Sequence, residues 1–242
     1  MLTSRHHQAN TSQSFWELTS ITKLAEQYKI DQNLQYLKWA PLATLKKIFI
    51  QYRFFTQYYI TDLALLISKL PFGQLRSILA EILNEELGNG NATQAHPNLY
   101  DQFLMSIGIP QESLNVVNLQ CIQSLHQIQQ SLLNKPWAYG VGLRGLGGEC
   151  LCQIYLSTMH KYFSQNSAIT HIQAQIAWTF WDIHIGEVDL HHQEIVRAAI
   201  NDVLATDPDV APDLINGYLE SKTAWDNFWQ HIFASARNNK TR

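Results

Sequence analysis

The stretch from Leu42 to Leu70 constrains the fold more than any other part of the chain. It is bounded by Pro41 and Pro71 and is dense in aromatic side chains: Phe49, Tyr52, Phe54, Phe55, Tyr58 and Tyr59. The two prolines mark a start and a stop, and the spacing between them predicts one long helix. A helix this apolar must be buried by others. The remaining sequence supplies them: helical patterns are expected over about 15–29, 31–39, 74–87, 96–106, 112–133, 137–164, 167–206 and 212–236. Pro71-Phe72-Gly73, Gly88-Asn89-Gly90, Gly108-Ile109-Pro110, Asn134-Lys135-Pro136 and Asp207-Pro208-Asp209 separate them. No segment reads as a strand, and no repeat of 20–50 residues is found. The expected fold is all-α, a bundle of about eight helices, forming a single domain over residues 14–238. Residues 1–13 are polar and are expected to be a disordered tail.

Composition excludes several classes. At 242 residues the chain fits a single helical domain, and 46% hydrophobic residues suffice for a large core. The net charge of −3, with no run of Lys or Arg, speaks against a nucleic-acid partner. No run of 18 apolar residues predicts a membrane span. The N-terminus lacks the apolar region of a secretory signal. Cys121, Cys150 and Cys152 are too few for a disulfide framework, so a reducing, cytoplasmic setting is expected.

Three motifs carry chemistry. Gly140-Val141-Gly142-Leu143-Arg144-Gly145 matches a dinucleotide fingerprint, but no strand precedes it and residues 160–166 contain no acid. It reads instead as a helix whose small residues permit close packing against a neighbour or a ligand. Glu149, just beyond, is the only acid between residues 113 and 181, which marks it as a candidate metal or catalytic residue. The second motif is Asn84-Glu85-Glu86-Leu87-Gly88 with His96 opening the next helix. Acids in the last turns of a helix oppose its dipole, so a compensating cation is one explanation and simple solvation the other. The third is Trp181-Asp182-Ile183-His184-Ile185-Gly186-Glu187-Val188-Asp189-Leu190-His191-His192, rich in metal-ligand types within an apolar helical pattern. In a regular helix His184, Glu187 and His191 share a face. His184, Asp189 and His192 align only if one extra residue is accommodated, as in a π-turn eased by Gly186. Spacing alone leaves both sets open.

With these residues in view, the chain resembles the haem-oxygenase-like diiron oxidases, a superfamily that includes CADD-like and TenA/PqqC-like proteins. The resemblance rests on Asn84-Glu85-Glu86-Leu87-Gly88-Asn89-Gly90, on His96-Pro97-Asn98-Leu99-Tyr100 and on the histidine-rich stretch, and extends over roughly residues 40–205. Cyanobacterial CADD-like proteins are the nearest in kind. It implies a haem-oxygenase-like helical bundle and a metal set of Glu86, His96, Glu149, His184, Asp189 and His192. Deleting Gly186 restores the family's register on the late helix, which favours Asp189 and His192 over Glu187 and His191. One departure stands out. The family pattern includes a Glu on the first core helix, and Leu42–Leu70 has none; its only acid is Asp62. Gln51, Tyr52, Gln57 and Tyr58 are the candidates for the vacated position.

The resemblance implies an iron-dependent oxidase or oxygenase acting with O2 on a small apolar or amphipathic substrate. One or two iron ions are expected, manganese being the substitute, and the second position is in question for want of the first-helix carboxylate. The aromatic run Phe49–Tyr59 is expected to line the pocket or simply to form core, and a homodimer is the expected assembly. Two alternatives are kept. One is a metal-free TenA-like hydrolase using Cys150 or Cys152 beside Glu149. The other is a non-catalytic binding module on the same scaffold.

Overall fold

The computed structural model describes residues 15–237, and residues 187–190 by their backbone alone. The expectations for the tail 1–13, and for the side chains of Glu187 and Asp189, lie outside the described residues. Among the described residues the chain is helical with no strand, as the periodicity predicts. A helical turn at 15–18 precedes α1 (Ile21–Lys29) and α2 (Gln32–Tyr36). Then come α3 (Leu42–Lys69), α4 (Gln74–Glu86), α5 (His96–Ser106) and α6 (Leu119–Asn134). Next, α7 (Trp137–Gly140) runs through a π-helical segment (Val141–Leu146) into α8 (Gly147–Phe163). The chain closes with α9 (Ser167–Thr170), α10 (Thr179–Ile185), α11 (Glu187–Thr206) and α12 (Ala211–Arg237).

Helix α3 forms the centre, as its aromatic content requires. Tyr52 stacks on Phe55 with ring centroids 5.4 Å apart and on Trp229 of α12 at 5.4 Å. Phe49 packs edge-on against Phe103 and Phe163. Burying each such ring contributes about 1.5–3 kcal/mol. Asp62, the only acid of α3, is fully buried. Its carboxylate accepts a 2.7 Å hydrogen bond from Arg144 Nε of the π segment.

The glycine-rich run packs helix against helix. A Cβ on Gly142 would stand 2.0 Å from the carbonyl oxygen of Leu214, and one on Gly217 would stand 2.0 Å from that of Tyr139. The backbones of the π segment and α12 therefore meet with no side chain between them. This contact holds the start of α8, and with it Glu149, against the core.

Two expected helices are interrupted. The pattern over 112–133 becomes a helix only from Leu119, because Gln51 of α3 grips the preceding loop: its amide donates to Val116 O and accepts from Asn118 N–H. The pattern over 167–206 is broken twice. The segment between α9 and α10 is held in a non-helical path by the Ala177 N–H donating to Ser106 Oγ and the Trp178 indole donating to Gln173 O. The second break falls at Gly186, with φ −87° and ψ −167°.

Candidate metal centre

The end of α4 and the start of α5 are brought together by a tight glycine turn. Gly88 has φ +85°, and a Cβ there would lie 2.3 Å from Asn91 O, so only glycine fits. Asn84 Nδ2 donates to Asn89 Oδ1 at 2.8 Å across the same turn. As a result Glu86, at the end of α4, faces His96, at the start of α5, with Oε2 2.9 Å from Nδ1.

His184 of α10 completes this group. One ligand atom from each of Glu86, His96 and His184 lies within 4.8 Å of the others. The His96 and His184 rings stand 4.7 Å apart. His184 Nδ1 is 2.7 Å from the Phe180 carbonyl oxygen. A carbonyl only accepts, so Nδ1 carries the hydrogen, and in the neutral tautomer that this selects the lone pair is on Nε2. That pairing is the usual way a protein orients a metal-binding imidazole. The Phe180 ring stacks on His184 at 4.0 Å and shields it from water.

The break at Gly186 distinguishes the two histidines of the sets that spacing left open. The extra residue is accommodated by a break between α10 and α11 rather than by a π-turn; among the described residues π-helical geometry occurs at Val141–Leu146. Across the break His192 is buried and His191 is exposed. His192 therefore turns inward with His184, and His191 does not. A Cβ at Gly186 would lie 2.7 Å from Asp182 O, which fixes glycine at the break.

Glu149 enters from α8. Its Oε1 accepts a hydrogen bond from the Tyr59 hydroxyl, and its Oε2 lies 3.9 Å from His192 Nδ1. The tyrosine ring lies over Gly148, where a Cβ would come within 2.6 Å of it. His192 Nε2 is 2.8 Å from Glu85 Oε2. Tyr59 and Glu85 are thus the two site residues that sequence reasoning did not assign. Tyr59 belonged to the aromatic run noted as lining a pocket, and Glu85 stood beside the residue chosen. Of the four α3 candidates for the vacated carboxylate position, only Tyr52 faces the site. Gln51 binds the loop described above, and Tyr58 lies against His126 on another face.

Tyr59, Glu86, His96, Glu149 and His184 line one cavity with Tyr52, Phe55, Thr56 and Cys152, and its space for water-sized occupants is about 20 Å³. It admits an ion or a water-sized species, while a larger substrate requires side chains to move. Tyr52 Oη lies 3.2 Å from Cys152 Sγ. Burial would raise the Glu86 carboxyl, but the imidazoles of His96, His184 and His192 outweigh it and hold it below the usual carboxylate range. Tyr59 is pushed up, first by burial and then by Glu149 and Glu86, so its phenol stays protonated and donates. The Cys150 thiol is pushed up to about 12, chiefly by burial. A carboxylate and two imidazoles converging in a narrow, aromatic-walled pocket fit a first-row transition metal such as iron.

Comparison with known proteins agrees. A search of curated proteins finds no match. Among solved structures, the chain is similar to a CADD-like protein of unknown function from Nostoc punctiforme PCC 73102, with 18% identity and a TM-score of 0.70 over 93% of this chain and 99% of that one. It is also similar to a TenA homolog from Pseudomonas syringae pv. tomato DC3000, with 10% identity and a TM-score of 0.71 over 92% of each chain. At these identities the likeness shows a shared fold. A sequence model of the iron-containing redox enzymes matches residues 46–226, from α3 into α12, and so spans every element that builds the site. This chain belongs to that family of haem-oxygenase-like iron-containing redox enzymes.

Proposed function

We propose that the protein is an iron-dependent oxidase or oxygenase of a small apolar or amphipathic substrate. The observation that carries this reading is the convergence of Glu86, His96 and His184, with the His184 imidazole oriented by a backbone carbonyl. These three would hold one ion. Glu149 and His192, with Asp189 from the same late helix, would hold a second. Iron bound there supplies one-electron redox chemistry with O2; manganese is the substitute the same donor set would take.

The chain's own residues set the conditions for that chemistry. Phe55 and Phe180 exclude bulk water, and with Tyr52 they make the pocket wall apolar, which suits an apolar substrate. The Tyr59 hydroxyl keeps its proton and offers it at Glu149 Oε1, a donor fixed beside the reacting space. The working assembly is proposed to be a homodimer in the cytoplasm, with no nucleic-acid partner. Among the described residues no helix is long and apolar enough to cross a membrane.

Anaerobic iron(II) binding tests the proposal. Wild type is expected to retain iron through gel filtration, and His184→Ala to lose the ion held by Glu86 and His96. Wild-type protein that takes up neither iron nor manganese contradicts it. The hydrolase alternative has one point in its favour, since Cys152 lies in the cavity wall near Glu149. Cys150 does not serve it, because a thiol pushed up to about 12 supplies almost no thiolate at neutral pH. Hydrolysis of a thiamin-related heterocycle that is lost in Cys152→Ala, with no metal bound, would favour that alternative.

A further inference from the structure

His192 has a carboxylate facing each ring nitrogen, and the two contacts differ. Nε2 lies 2.8 Å from Glu85 Oε2, a hydrogen-bond distance. Nδ1 lies 3.9 Å from Glu149 Oε2, which is too long for a hydrogen bond. Two bonds of about 2.0–2.2 Å to a shared ion can span such a gap. A carboxylate on one imidazole nitrogen holds the hydrogen there and leaves the lone pair on the other. The remaining oxygen of Glu149 is held by Tyr59. Helix α3 carries no Glu, and the side chain it turns to Glu149 is the Tyr59 phenol.

We propose that Glu85 is a positioning residue. It accepts the Nε2 hydrogen of His192 and so turns Nδ1 toward Glu149, building a second metal position between His192 Nδ1 and Glu149 Oε2 in a chain whose first core helix supplies no acid there. The position takes a first-row divalent ion. This inference rests on the metal-dependent function proposed above, and it goes further in giving a role to a side chain that is itself no ligand. Glu85 is part-exposed at the end of α4, so its replacement spares the core.

The test is an anaerobic titration of the full chain with cobalt(II), read by its visible absorption and by metal analysis. It is run on wild type, Glu85→Ala and Glu85→Gln. Wild type is expected to bind two ions in two affinity classes. Glu85→Ala is expected to weaken the second class about 10–100-fold and leave the first nearly unchanged. Glu85→Gln, whose side-chain carbonyl still accepts the Nε2 hydrogen, is expected to recover most of the loss. In the zinc-loaded protein, the 15N spectrum of His192 is expected to show metal at Nδ1 and hydrogen at Nε2. A second class unaltered in Glu85→Ala overturns the inference alone, as does a single class in wild type or metal found at Nε2. Wild type that binds no ion overturns both this inference and the function on which it rests.

Discussion

At the scale of single residues, Gly186 decides most. In a regular helix, eight residues carry a side chain about 80° past whole turns, so His184 and His192 would diverge. The break at Gly186 removes that difference and buries both. Gly186→Ala is therefore expected to cost about 1–3 kcal/mol, since its Cβ would press on Asp182 O. It is also expected to lower metal stoichiometry, and both effects are measured by urea unfolding and metal analysis. Unchanged stability and full metal content would mean that the break is incidental. The sequence showed that an extra residue had to be absorbed, because the family register and the helical period disagree by one. It did not show how, because a π-turn and a break satisfy the same count. Glu85 was hidden for a related reason. Adjacent acids at a helix end point about 100° apart, and which imidazole each one meets depends on the turn that follows.

At the scale of elements, the long helices were legible and the interruptions were not. Helices α3, α4, α5 and α12 follow from apolar periodicity bounded by Pro and Gly. The loop before α6 and the irregular path before α10 are held by side chains from distant elements, Gln51 and Ser106, which no local pattern reveals. The glycine run was read as a packing surface, and the contact between the π segment and α12 bears this out. It also yields a paired prediction. Gly142→Ala or Gly217→Ala places a methyl 2.0 Å from a backbone oxygen and is expected to destabilise by about 1–3 kcal/mol or more. Gly145→Ala, whose nearest neighbours are side-chain atoms at 3.5 Å and beyond, is expected to be nearly neutral. Equal urea midpoints for the three variants would contradict the close-packing account.

At the scale of the whole molecule, the bundle stability and the site are linked through protons. The His160 imidazole, among Phe163, Trp178 and Trp181, is held below its usual value by burial, with Asp182 opposing in part. The unfolded chain therefore takes up that proton first, and the folded state loses stability as pH falls below about 6.5. Glu86, held below the carboxylate range, adds stability at neutral pH that is lost as pH falls through its folded value. Both act in one direction. The thermal midpoint of metal-free protein is expected to fall between pH 7.5 and pH 3, with His160 acting below about pH 6.5 and Glu86 only below about pH 4.5, and His160→Gln to flatten the upper part of that fall; a midpoint independent of pH would contradict it.

The central claim is that Glu86, His96 and His184 hold iron. The most direct test is anomalous scattering at the iron edge, on crystals of protein loaded anaerobically with iron(II). The account predicts a peak in bonding contact with Glu86, His96 and His184 Nε2. A map with no peak among those three side chains, from protein shown to have been exposed to iron, would contradict it.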